Sequence, residues 1–210
     1  MARYREAVCR LCRREGMKLY LKGERCFTEK CAIEKRNVPP GAHGRARRRG
    51  PRAYGEQLRM KQRMRRVYGV LERQFRNTFE KAERLPGKTG ENLLMLLERR
   101  LDTVVHRSGL ASSRAQARQL VLHGHVRVNG RKVNIPSYLV KVNEEIVLTD
   151  KMKENPMVLQ AQEQASRQMV PTWLEVEREA LRVRLLTLPK RAELTTPPLN
   201  EQLIVELYSR

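Results

Sequence analysis

Apolar residues recur at helical spacing through the first half of the chain. Met60, Met64, Val67, Tyr68 and Leu71 fall at i, i+4, i+7, i+8 and i+11, one stripe of an amphipathic helix starting near Tyr54. Arg59, Arg63 and Arg66 lie on the flank away from that stripe. Leu71, Phe75, Phe79 and Ala82 align on a second helix, ended by Leu85-Pro86-Gly87. Thr89 suits the N-cap of a third, over about 90–107, with Leu93, Leu94, Leu97, Leu101, Val104 and Val105 on one face and Arg99, Asp102 and His106 on the other. Ser112 or Ser113 caps a short helix that stops before Gly124, with Ala117, Leu120 and Val121 inward and Arg114 and Arg118 on the flank.

The period then changes to two. His125-Val126-Arg127-Val128 and Arg131-Lys132-Val133 flank Asn129-Gly130. That dipeptide is a strong hairpin signal, because a type I′ turn needs positive φ at both central residues. Further strands are expected over 145–149, 173–176 and 181–188. Asn200 is a candidate N-cap for a last helix, on which Leu203 pairs with Leu207 and Ile204 with Tyr208 at i, i+4.

These elements predict an α+β fold: a mainly helical domain with an inserted small α+β module whose sheet is short and antiparallel. The expected divisions are an N-terminal segment 1–36, an extended arm 37–52, a helical domain 53–98 completed by 161–210, and the inserted module 99–160. The arm, rich in Pro, Gly and Arg, lacks the apolar residues to pack alone. No apolar run approaches the ~20 residues that span a bilayer, and the N-terminus lacks the apolar stretch of a secretory signal, so a cytoplasmic location with no membrane partner is expected.

Charge turns this architecture into a functional expectation. The 210 residues carry 44 Lys+Arg against 23 Asp+Glu, a formal +21. Residues 1–66 hold 21 basic and 6 acidic side chains, 98–149 hold 9 and 4, and 150–210 hold 9 of each. A general solubility effect needs no such gradient, whereas a polyanion-binding surface does. Arg outnumbers Lys 32 to 12, and the guanidinium fork grips phosphate bidentately. Arg45, Arg47, Arg48 and Arg49 in the arm, Arg59, Arg63 and Arg66, then Arg114, Arg118, His123, Arg131 and Lys132 are the candidate RNA-contacting residues. The competing reading for Arg59, Arg63 and Arg66 is a solvated helix face. The charge-neutral C-terminal segment suits packing on the first helices or protein contact, with Leu203, Leu207 and Tyr208 as candidates.

Every cysteine falls in the first 31 residues, as Cys9, Cys12, Cys26 and Cys31. The spacing C-x2-C-x13-C-x4-C lets two thiol pairs converge on one tetrahedral ion. Arg10, Arg13 and Arg14 are expected to favour thiolates. Zinc is the default and an iron–sulfur cluster the alternative, since four cysteines serve both. Four sulfur ligands leave zinc no open position, which makes the role structural: a metal staple for a segment too poor in apolar residues to fold unaided. No phosphate-binding glycine loop and no spaced nucleophile–base pair gives catalysis an anchor, so no catalytic residue is assigned.

The run RLDTVVHRSGLASSRAQARQLVLHGHVRVNGRKVNIPSY, Arg100 to Tyr138, resembles the RNA-binding module named after the fourth ribosomal protein of the bacterial small subunit. The same module is appended to some RNA-modifying enzymes. CRREGMKLYLKGERC, PPGAHG, YGVLERQFRNTFEKA and NEQLIVELYSR extend the resemblance, nearly collinearly, to that ribosomal protein family itself, in a cysteine-containing branch. The resemblance implies a primary binder of 16S rRNA at a junction in its 5′ domain, which nucleates assembly of the 30S body. It also implies contact with ribosomal protein number five, an influence on decoding accuracy through that contact, and a position near incoming mRNA. The competitors are an RNA-modifying enzyme and a metal-finger regulator carrying the same module.

Overall fold

The computed structural model describes residues 3–42, 44, 52–165, 170–194 and 198–209. The chain divides into two compact units, Met1–Leu94 with Thr195–Arg210 and Met95–Leu194.

In the first unit, α1 (Cys9–Glu15) ends at Gly16, whose φ of 67° closes the helix in the left-handed region. A 3-10 turn (Gly23–Cys26) and α2 (Ala32–Lys35) follow. Next come α3 (Ala53–Val67) and α4 (Glu72–Glu83), and α5 begins at Thr89. Met64, Val67, Phe75, Phe79 and Ala82 are buried as their periodicity predicts. The stripe on α3 is nevertheless broader than predicted: Gln57 and Lys61 are buried while Met60 is only half-buried. The cause is α9 (Gln202–Tyr208), which packs on α3. Gln57 donates to the Glu206 carboxylate at 3.1 Å, and the Tyr208 hydroxyl donates to Glu72 at 3.0 Å. Leu71, expected in the stripe, is exposed as the N-cap residue of α4.

The second unit contains α6 (Leu101–Arg107), α7 (Arg114–Leu122) and α8 (Pro156–Ala165) with a five-stranded antiparallel sheet. Its strands are β1 (Val126–Val128), β2 (Arg131–Lys132), β3 (Glu145–Leu148), β4 (Leu174–Glu177) and β5 (Arg182–Leu185), in the order β2-β1-β3-β5-β4. The turn between β1 and β2 holds Asn129 and Gly130 at φ of 46° and 77°, the signs a type I′ turn requires. Ser113 caps α7 by accepting from the Gln116 N–H at 3.3 Å. Val126, Val128, Ile146, Leu148, Val183 and Leu185 line the inner sheet face and pack with Leu101, Val104, Val105, Val121 and Trp173.

Two expectations about organisation are corrected. The single helix expected over about 90–107 is two: α5 (Thr89–Glu98) and α6, separated at Arg99 and Arg100. Arg100 is extended and bridges Leu139, and the Leu101 N–H donates to the Tyr138 carbonyl at 2.9 Å. Long-range backbone pairing therefore overrides a continuous helical pattern. The expected boundary near 160 also moves. Residues up to Leu194 belong to the second unit, because β5 pairs with β3 and carries Val183 and Leu185 into that core. Only the segment containing α9 returns to the helical unit. Among the described residues, no helix is long and apolar enough to cross a membrane.

Candidate nucleic-acid interface and cysteine cluster

The β-hairpin of the second unit presents its side chains by strand alternation. Val126 and Val128 point into the core and leave Arg127 exposed between them. Arg131 and Lys132 on β2 are exposed, as is His123 at the end of α7. Gly124 has φ +74°, and a Cβ there would stand 2.0 Å from Lys132 Cε, so the lysine stem lies directly across this glycine. The His123 and His125 rings meet edge-on with centroids 6.2 Å apart. Lysine and two imidazoles thus gather beside the exposed hairpin arginines. Elsewhere on the outer sheet face the charges balance. Arg182 pairs with Glu145 at 2.6 Å, and Arg184 stands 3.8 Å from Glu175. The cationic excess of this face is therefore at the hairpin. Arg127 is a further exposed cation of this hairpin that charge and spacing alone do not single out, although strand alternation announces its exposure.

Arg114 and Arg118, expected as an RNA-contacting pair on the flank of α7, are engaged with buried carboxylates instead. The Arg118 side chain is 6% exposed and reaches Asp102 at 3.2 Å. Arg100 grips the same carboxylate bidentately, at 3.0 and 2.8 Å. Arg114 stands 3.9 Å from Glu98, a fully buried carboxylate that Arg107 also holds with bonds of 2.9 and 2.7 Å. Asp102 thus ties the start of α6 to the facing side of α7, and Glu98 ties the end of α5 to the end of α6 and the start of α7, from within. Asp102, expected on a polar face, is buried. His106 is half-buried, with Nδ1 sealed from water and lacking a hydrogen-bond partner among the described residues. Burial pushes its pKa well below the ordinary 6.5, and the charges of Arg114 and Arg107 push the same way.

In the first unit, the flank of α3 is likewise engaged from inside. Arg59 donates to Glu15 at 3.3 Å, and Arg66 donates to the same oxygen. Arg63 lies between them in sequence, half-buried. Arg65 and Lys61 pair with Glu72 at 3.0 and 2.7 Å. Burial works against the Glu72 carboxylate, yet bonds from Lys61 and Tyr208 outweigh it and hold its pKa below the ordinary value. Tyr208 packs on Phe79 with ring centroids 4.6 Å apart, and burial, then the bond to Glu72, pushes its hydroxyl pKa up. Tyr208 is thereby part of an internal clasp, and Leu203 and Leu207 beside it are half-buried. Arg45, Arg47, Arg48 and Arg49 lie outside the described residues.

The four cysteines face one pocket, which Lys22, Arg25, Ala32 and Ile33 complete. Cys12, Cys26 and Cys31 are buried and Cys9 is half-buried, all as free thiols. The Lys22 N–H donates to Cys26 Sγ at 3.4 Å. Burial pushes the Cys12 and Cys26 thiols up, and backbone donors from Leu19 and Lys22 offset this only in part. The shift of these two thiols runs opposite to the thiolate-favouring effect expected from the α1 arginines. Arg13 is turned to the Val38 carbonyl at 2.8 Å and Arg10 to Glu6 at 3.5 Å. Four soft donors on one pocket suit zinc or an iron–sulfur cluster in chemistry. Among the described residues, however, no group of three or more His, Cys, Asp or Glu side chains is drawn together to hold an ion.

Sequence reasoning missed the acids at the centre of these clusters: Glu15, Glu72, Glu98 and Asp102. Glu15 meets Arg59 and Arg66 from 44 and 51 positions away, so no local spacing announces it.

Comparison with known proteins covers the whole chain. Residues 3–98 match the family described as ribosomal protein S4/S9 N-terminal domain, and residues 99–146 match the S4 domain. Small ribosomal subunit protein uS4 of Solibacter usitatus (strain Ellin6076) is 60% identical over 210 residues, 100% of both chains. Those of Pelotomaculum thermopropionicum and Syntrophus aciditrophicus are 59% and 55% identical over the same full lengths. Family matches in both halves, joined by identity from end to end, are what a shared RNA-binding module alone does not produce: the chain belongs to the uS4 family of small ribosomal subunit proteins.

Proposed function

We propose that this chain is a structural constituent of the small ribosomal subunit in the cytoplasm: a primary binder of 16S rRNA, at a junction in the 5′ domain, without catalytic activity. The observation that carries the reading is full-length identity to uS4 proteins, extending well beyond the S4 domain. An appended RNA-binding module on an enzyme would match over that domain only. The exposed hairpin cations Arg127, Arg131 and Lys132 supply phosphate and 2′-OH contacts, the currency of recognition for structured RNA. By binding early, the chain nucleates assembly of the 30S body. It influences accuracy through contact with ribosomal protein number five and lies near incoming mRNA. Crosslinking the purified full chain to 16S rRNA tests this: crosslinks concentrated in the 5′ domain are expected, and a scatter over all domains would overturn it.

The same reading assigns a structural metal to Cys9, Cys12, Cys26 and Cys31. Zinc held by four thiolates would have no free position for substrate; an iron–sulfur cluster is the alternative. The support is that all four cysteines line one pocket, together with Lys22 and Arg25. An ion lowers thiol pKa values that burial alone raises. Elemental analysis of the purified chain distinguishes the two metals.

A further inference from the structure

Four acids of this basic protein follow one pattern: each carboxylate sits between two cations. Glu15 holds Arg59 and Arg66, Glu72 holds Lys61 and Arg65, Glu98 holds Arg107 and Arg114, and Asp102 holds Arg100 and Arg118. The groups differ in what they leave at the surface. Arg100 and Arg118 are 5% and 6% exposed, so Asp102 serves the interior. Around Glu15 the carboxylate is 1% exposed while Arg59 and Arg66 keep 29% and 18% of their side chains in solvent.

The Glu15 group is built as a holder. Arg59 and Arg66 are two helical turns apart on α3, about 10 Å along the axis. Both spend an Nη1 donor on the same Glu15 oxygen, Oε1. A guanidinium carries five N–H donors, so each keeps others. Among the described residues, neither has a second acidic partner. The Nε of Arg63, between them on the helix, is buried with no partner among those residues. Burial pushes the Arg66 pKa down, Glu15 works against that, and Arg59, Arg65 and Arg14 repel it. Without the carboxylate, cations of one sign would be free to splay apart. An exposed arginine loses side-chain entropy when it grips a phosphate, and one already fixed loses less.

We infer that Glu15 is a positioning residue for RNA binding: from inside the first unit it fixes Arg59 and Arg66 in the orientation that offers their remaining donors to backbone phosphates. This rests on the rRNA-binding reading and adds a claim that simple electrostatics contradicts. Removing an acid from a +21 chain should tighten binding to a polyanion; removing this one weakens it.

The test measures affinity of the full-length chain for a 16S rRNA 5′-domain transcript across a salt series. The proteins are wild type, Glu15→Gln, Glu29→Gln as an exposed acid on the same segment, Arg59→Gln/Arg66→Gln, and that double variant with Glu15→Gln added. Wild-type binding by itself tests the underlying reading. Glu15→Gln is expected to bind about tenfold more weakly, and the slope of log K against log salt should fall by about 0.7–0.9 for each phosphate no longer neutralised. Glu29→Gln should equal or exceed wild type. In the background lacking both arginines, Glu15→Gln should change nothing further. This last arm separates positioning from folding: a variant that merely unfolds the segment would weaken binding in either background. Wild-type-like or tighter binding by Glu15→Gln, or an equal loss with and without the arginines, would overturn the inference.

Discussion

Asp102 shows how much one buried side chain can hold. Its carboxylate, 4% exposed, accepts from Arg100 and Arg118 and so joins the entry to α6 to the side of α7. A buried ion pair returns little net stability over apolar packing, but losing one partner leaves charge stranded at a cost of about 3–5 kcal/mol. Asp102→Asn should therefore lower the urea-unfolding stability of the second unit by roughly that amount. A loss below ~1 kcal/mol, the range of surface pairs, would place the cluster in solvent. His106 gives a pH signature. Its folded-state pKa lies below the ordinary 6.5, so the unfolded chain takes up the proton first. The stability it contributes is complete above about pH 6.5 and is lost as pH falls below that value. Thermal unfolding midpoints should drop between about pH 7 and pH 5, and His106→Phe should flatten that drop. An identical slope in the variant would assign it to other groups. Neither placement was legible, because helical periodicity put Asp102 and His106 on a polar face. The cations that draw Asp102 inward include Arg118, 16 residues away.

At the scale of elements, what the sequence could reveal depended on how local the controlling interaction is. The Asn129-Gly130 hairpin and the Ser113 cap are set by residues within a few positions, and both form as read. The break between α5 and α6 is set by pairing of Arg100 with Leu139, which no helical window contains. Likewise, β4 and β5 were legible as strands but not as part of the β1–β3 sheet, because register across β3 and β5 joins residues such as Ile146 and Val183. The cysteine segment is the element with the least apolar support, and its proposed metal should be what holds it. Cys12→Ser is expected to lose the bound metal and the amide-exchange protection of residues 3–36, while protection in β1, β3 and β5 persists. Unchanged protection in a metal-free variant would show that the segment folds on its own contacts.

Over the whole molecule, net charge identified the kind of partner, while the division of cations into exposed and internally held ones had to come from the fold. Arg127, Arg131 and Lys132 are exposed at the hairpin, whereas Arg100, Arg107, Arg114 and Arg118 stabilise the unit that displays it. A formal +21 therefore overstates the number of cations available to RNA. The most direct measurement is binding of the full chain, with no other ribosomal protein present, to separate transcripts of the 16S rRNA domains at ~0.15 M salt. The account predicts binding to the 5′-domain transcript at least about tenfold tighter than to the others, with Arg131→Ala/Lys132→Ala lowering its salt slope by about 1–2. Equal affinity for every transcript, or a slope indifferent to the hairpin cations, would contradict it.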